Sequence, residues 1–134
     1  MALVEFALVA PLLLLMLAGV LDYGMALRTA TSVAAAARAG AQYGSSSPAN
    51  AANTAGIQAA ASNAAPDVKN LLVTSSQFCQ CPGGGAVSCP GTCTTGQMLI
   101  YVKVTAQSAT PTIFNYSGLG FSGTTSSQAS MRAQ

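Results

Sequence analysis

Three carboxylates, Glu5, Asp22 and Asp67, and four cysteines, Cys79, Cys81, Cys89 and Cys93, are the residues of this 134-residue chain with the most chemical reach; there is no histidine. General acid/base catalysis and activated nucleophiles need a titratable partner close at hand, and this set hardly supplies one. An enzyme is therefore not expected, and no cofactor or metal is implied. The five cations, Arg28, Arg38, Lys69, Lys103 and Arg132, are scattered rather than gathered into a stripe. No direct nucleic-acid site is evident from them.

The cysteines fall in CQCPGGGAVSCPGTC. Four cysteines in a short chain read as two disulfides formed in an oxidising compartment. Zinc is the rival reading, but the spacing lacks paired C-x2-C knuckles. If the segment is the tip of an antiparallel hairpin, the nested pairing of Cys79 with Cys93 and Cys81 with Cys89 keeps the sum of residue numbers nearly constant, as such a hairpin requires. Joining Cys79 to Cys81 would need a small strained ring. Gly83 to Gly85 would then make the turn.

The residues that position this chemistry are unusual in composition. Hydrophobic residues make up 51% of the chain and charged ones only 6%, against about 25% charged in an ordinary soluble domain. The surplus is concentrated in Phe6 to Leu21, FALVAPLLLLMLAGVL, which has no charge and is bounded by Glu5 and Asp22. At ~1.5 Å per residue it rises about 24 Å, short of the ~30 Å hydrocarbon core. Spanning needs Met1 to Val4 as well, which buries Glu5, and a lone carboxylate at that depth is costly unless paired. The nearest positive charge in sequence is the Met1 amine.

A cleaved secretory signal would begin with a basic region, which Met1 to Phe6 lacks. A plain bitopic anchor would take its orientation from Arg28 and Arg38 and keep the C-terminal part in the cytoplasm, where disulfides are rare. Both conflicts disappear if a basic leader has been removed before Met1, so that the sequence shown is the mature form.

With these residues in view, the opening MALVEFALVAPLLLLMLAGVLDYG resembles the N-terminal helix of type IV pilins, in which a prepilin peptidase cuts before a hydrophobic residue and Glu stands fifth in the mature chain. Val4-Glu5-Phe6-Ala7-Leu8, Pro11-Leu12-Leu13, Asp22-Tyr23-Gly24 and Ala36-Ala37-Arg38-Ala39-Gly40-Ala41 are similar to the TadE-like branch of pilins and pseudopilins. The resemblance covers about residues 1 to 44. It implies an N-methylated terminus at Met1 and an assembly pair between the Met1 amine and Glu5.

Elsewhere on the helix, Pro11 cannot donate to the Ala7 carbonyl and should kink the helix. Asp22 and Arg28 are too far apart to meet on one helix, which leaves them to other subunits, as intersubunit salt bridges, or to solvent. Beyond Leu21 the sequence turns to Ala with Gly19, Gly24 and Gly40, whose small side chains let helices approach closely. Gly44 should supply a left-handed cap, with Pro48 forbidding continuation.

After the stalk, an Ala-rich helix is expected over Ala49 to Ala64, closed by Pro66. Leu71 to Phe78 and Met98 to Thr105 read as strands paired in a hairpin, with Ile100, Val102 and Val104 on one face. Weaker strands are expected near Thr112 to Tyr116 and Thr124 to Arg132. Asn115-Tyr116-Ser117 fits a glycosylation sequon, and the aromatic residues are read as packing residues.

The fold class is thus α+β: a long N-terminal hydrophobic stalk helix, a short second helix, and a small antiparallel sheet with a disulfide-braced hairpin. Its domains are a stalk, 1–44, and a globular head, 45–134. The function expected is a structural pilin subunit that polymerises through its N-terminal helix into a type IV, Tad-like filament. Its partners would be copies of itself, the inner membrane before assembly, the prepilin peptidase and the pilus assembly machinery. It would pass from the inner membrane to an extracellular filament on the cell surface. The alternative is a minor pseudopilin or membrane-anchored envelope component of a secretion or pilus assembly machine that forms no fibre.

Overall fold

A computed structural model describes residues 2–94, 96–110 and 123–133. The chain is α+β. The first helix, α1, runs Ala2–Ser45 and contains Pro11 without a break; its Leu- and Ala-rich composition favours helix throughout. Its length is about 66 Å at ~1.5 Å per residue.

The helix ends differently from expectation. Among the described residues the glycines with positive φ are Gly83, Gly84 and Gly96, and Gly44 is not one of them. The last carbonyls are met by serines instead: the Ser45 hydroxyl donates to the Gln42 carbonyl at 3.0 Å and the Ser46 hydroxyl to the Tyr43 carbonyl at 2.7 Å. No left-handed residue is then needed.

The expected second helix is two. Pro48–Ala52 forms α2 and Thr54–Ala64 forms α3. Ser47 caps α2 by accepting from the Asn50 N–H at 3.1 Å, with Pro48 in its first turn. Asn53 breaks the run because its side chain accepts from the Gly56 N–H at 2.9 Å, the arrangement that makes Asn a better cap than an interior helical residue.

Strands β1 (Leu72–Gln80), β2 (Ala86–Val87), β3 (Leu99–Ala109) and β4 (Thr124–Arg132) form one antiparallel sheet in the order β2-β1-β3-β4. The two long ladders pair Leu72 with Gln107 through to Gln80 with Leu99, and Ala109 with Thr124 through to Tyr101 with Arg132. The expected strand at 112–116 and the sequon at 115–117 lie outside the described residues.

One face of the sheet lies on the C-terminal part of α1. Val102, Val104 and Ala106 meet Val33, Ala36, Ala37 and Ala41, while Ile57 and Ala61 of α3 close the side. The alternation along β3 follows the strand period of two, with Lys103 exposed between buried Val102 and Val104. On the other face Phe78 and Tyr101 stack with ring centroids 5.2 Å apart.

Candidate functional site

The helix has two lengths with opposite surroundings. From Thr29 onward it is clad by the head. From Leu3 to Leu27 its large apolar side chains, apart from half-buried Met25, stand exposed, Leu3 at 85% and Leu8 at 75%. The most apolar stretch has a mean hydropathy of 2.4, none of it is buried, and the helix is long and apolar enough to cross a membrane. Burying that surface, at roughly 25 cal/mol per Å² of apolar area, is the largest unspent driving force in the chain.

The residues singled out in the sequence are distributed along this rod. Glu5 is exposed in the first turn; Met1 lies outside the described residues, so the amine pairing has no counterpart here. Pro11 is exposed on the bare length. Gly19 and Gly24 have nothing within 4 Å of where a side chain would start, so both are open to an approaching helix.

Arg28 is placed otherwise than expected. Its Nε lies 3.5 Å from Oδ2 of Asp67 in the same chain, and the Ser32 hydroxyl donates to that oxygen at 3.2 Å. Helix spacing considers only partners on α1, so it left Arg28 to other subunits or to solvent and did not anticipate this partner. Asp67 comes from the loop that the fold brings back beneath the head. Asp22 is half-buried.

The disulfide pairing is also corrected. Cys79 is bonded to Cys89 and Cys81 to Cys93, in place of Cys79 with Cys93 and Cys81 with Cys89. The nested argument assumes that all four cysteines lie on the two arms of one hairpin. Only Cys79 lies in a long strand, and its neighbour across the ladder is Ile100; Cys89 and Cys93 lie between β2 and β3, before the return strand begins at Leu99. Cys79 also pairs with Val87 in β2, which brings Cys89, two residues on, within reach of its sulfur. Each bridge closes a short loop, of sequence separation 10 and 12.

Residues 1–42 match the family model described as TadE-like protein. By this match the stalk is similar to TadE-like proteins. No curated protein and no solved structure matches the chain. The match covers the whole bare length of the helix and most of its clad length, including Ala36, Ala37, Gly40 and Ala41 in the packed region.

Three features of the helix and the head around it go beyond the sequence reading, which gave Gly40 to close helix approach and Gly44 to a cap. Gly40 and Gly44 are sites of close approach: a Cβ at Gly44 would lie 2.9 Å from Val102 Cγ1 and 3.2 Å from Ile57 Cδ1, and one at Gly40 would lie 3.1 Å from Val104 Cγ1. Tyr43 lies over Gly56, where a Cβ would come within 2.5 Å of the ring, and its hydroxyl accepts from the Asn53 amide at 3.2 Å. Asp67 ties the loop before β1 to α1. The glycine spacing of four along α1 was the available signal for the first.

Proposed function

We propose that the chain is the structural subunit of a Tad-type pilus, held in the membrane by its TadE-like helix and then polymerised through that helix into a filament. The observation that carries the reading is the bare helix: an unbroken apolar length with an acid in its first turn, continuous in sequence with the clad helix while the head leaves it uncovered. Neighbouring helices packed around a filament axis would shelter this surface in place of lipid. Gly19 and Gly24 would permit close crossings there.

In this proposal Glu5 sets the axial register. Buried among apolar helices, it needs a cation, and a subunit displaced along the axis supplies one in its Met1 amine. Losing one member of such a buried pair costs about 3–5 kcal/mol, because the other charge is left alone. The test is Glu5→Ala in cells lacking the normal subunit, with membrane fractions quantified and sheared surface material viewed by negative-stain microscopy. The expected outcome is normal accumulation in the membrane with few or no filaments. Wild-type fibre yield would overturn the role of Glu5. Absence of fibres from cells making the unaltered chain would favour the fibre-free envelope component.

A further inference from the structure

The base of the head is marked by a cavity of about 280 Å³ beside Thr29 and Ser108. The acidic side chains lie at that level or on the helix, Glu5 and Asp22 on α1 and Asp67 in the loop before β1. The opposite end of the sheet, on the face turned away from α1, is built from other residues. Phe78, Tyr101 and Arg132 form one row across β1, β3 and β4, and Ser76, Lys103 and Ser130 form the next row on that face.

The fold therefore brings together two cations that are far apart in sequence. Lys103 and Arg132 are diagonal neighbours on adjacent strands, about 7–8 Å apart. Both are exposed, and neither has an acid partner among the described residues. A terminal carboxylate at Gln134, beyond Arg132 in sequence, would still leave positive charge in excess. Beside them Phe78 and Tyr101 stack with planes 10° apart and centroids at 5.2 Å, and both rings stay half-exposed.

We propose that this corner of the sheet binds a carboxylated polysaccharide, a chain of uronate sugars. The half-exposed rings pack against the C–H groups of a sugar. Arg132 and Lys103 take carboxylates, the guanidinium through its planar fork, and the exposed Ser76 and Ser130 hydroxyls exchange hydrogen bonds with sugar hydroxyls. A single nucleic-acid strand fits less well, because it calls for a track of cations along its phosphates and ring faces free to stack on bases. Here the cations are two, and each ring gives one face to the other. The site goes beyond the filament reading and does not depend on it, since this face is turned away from α1 in either case; in a filament, repetition of the site would add avidity.

The full chain in uncharged detergent micelles is titrated into fluorescein-labelled hexagalacturonate, with anisotropy as the readout, and labelled maltohexaose and hexathymidylate are compared. The unaltered chain should bind hexagalacturonate in preference to both, and more weakly as salt is raised. Lys103→Gln/Arg132→Gln should weaken binding about tenfold, as two exposed charge pairs allow. Tyr101→Ala should weaken it about fivefold and Tyr101→Phe should not. Arg38→Gln/Lys69→Gln, which removes the same charge elsewhere, should leave it unchanged. The proposal is overturned by absence of binding, by equal affinity for maltohexaose, by affinity that survives loss of Lys103 and Arg132, or by an equal loss in Arg38→Gln/Lys69→Gln. Tighter binding of hexathymidylate would also overturn it and give the face to nucleic acid.

Discussion

Gly44 shows how a residue's role is decided by what it faces. Replacing a helical glycine with alanine gains about 1 kcal/mol of helix propensity, whereas forcing a methyl group into a packed core costs about 1–3 kcal/mol. At Gly44 the new methyl would meet Val102 and Ile57, both fully buried, so the clash wins. We expect Gly44→Ala to lower the stability of the head by about 1–2 kcal/mol, measured by denaturant unfolding in detergent micelles. Gly24→Ala, with nothing within 4 Å, should be neutral or stabilising in the same assay; a loss there equal to that at Gly44 would show that the close-approach account is wrong. The Arg28–Asp67 pair belongs to a different class. With side-chain exposures of 76% and 38%, it should contribute less than about 1 kcal/mol, and Asp67→Asn should leave the unfolding midpoint nearly unchanged.

Among the elements, the disulfide-bonded segment makes the sharpest prediction. Loops of separation 10 and 12 imply about 3 kcal/mol per bridge from chain entropy in the unfolded state. Removing Cys79 with Cys89 should cost more than removing Cys81 with Cys93, because Cys79 is fully buried. Thiol counting on the denatured, unreduced protein distinguishes the pairings: Cys81→Ser/Cys93→Ser should show no free thiol and Cys79→Ser/Cys93→Ser two. The reverse result would restore the nested arrangement. The secondary structure of this region was legible where periodicity was strong. Val102 and Val104 alternating with Lys103 marked β3, and the bounds expected for β4 are those observed. Local competition was harder to read. Asn53 cuts one Ala-rich run into two helices by capping the second, and β2, only two residues long, redirects the chain enough to exchange the cysteine partners. Glu5, Pro11 and the apolar run were visible because they need no tertiary information; the Arg28–Asp67 contact was not, because its members are brought together only by the completed head.

Considered whole, the molecule is a rod with one end clothed. The head uses the Ala- and Gly-rich third of the helix as one wall of its core, so helix and sheet must fold as a unit. The Leu-rich length takes no part in that core. Substitutions at Glu5 should therefore leave the head's stability untouched and act on assembly alone. Equal unfolding midpoints for Glu5→Ala and the unaltered chain, beside the filament defect proposed above, are the expected pair of results.

The direction of the strands carries a mechanical consequence. Thr29 and Ser108 line the cavity at the base of the head, whereas Gly44 approaches Val102 and Ser45 approaches Met131 at the other end, so α1 and the long strands run side by side along a common axis. Tension applied along the helix therefore pulls β3 lengthwise past β1 and β4. The ladder bonds lie across the strands, and such a pull strains all nine paired positions of each long ladder together rather than opening them one after another from an end. A head built this way resists in shear, the loading mode in which a hydrogen-bonded sheet yields last.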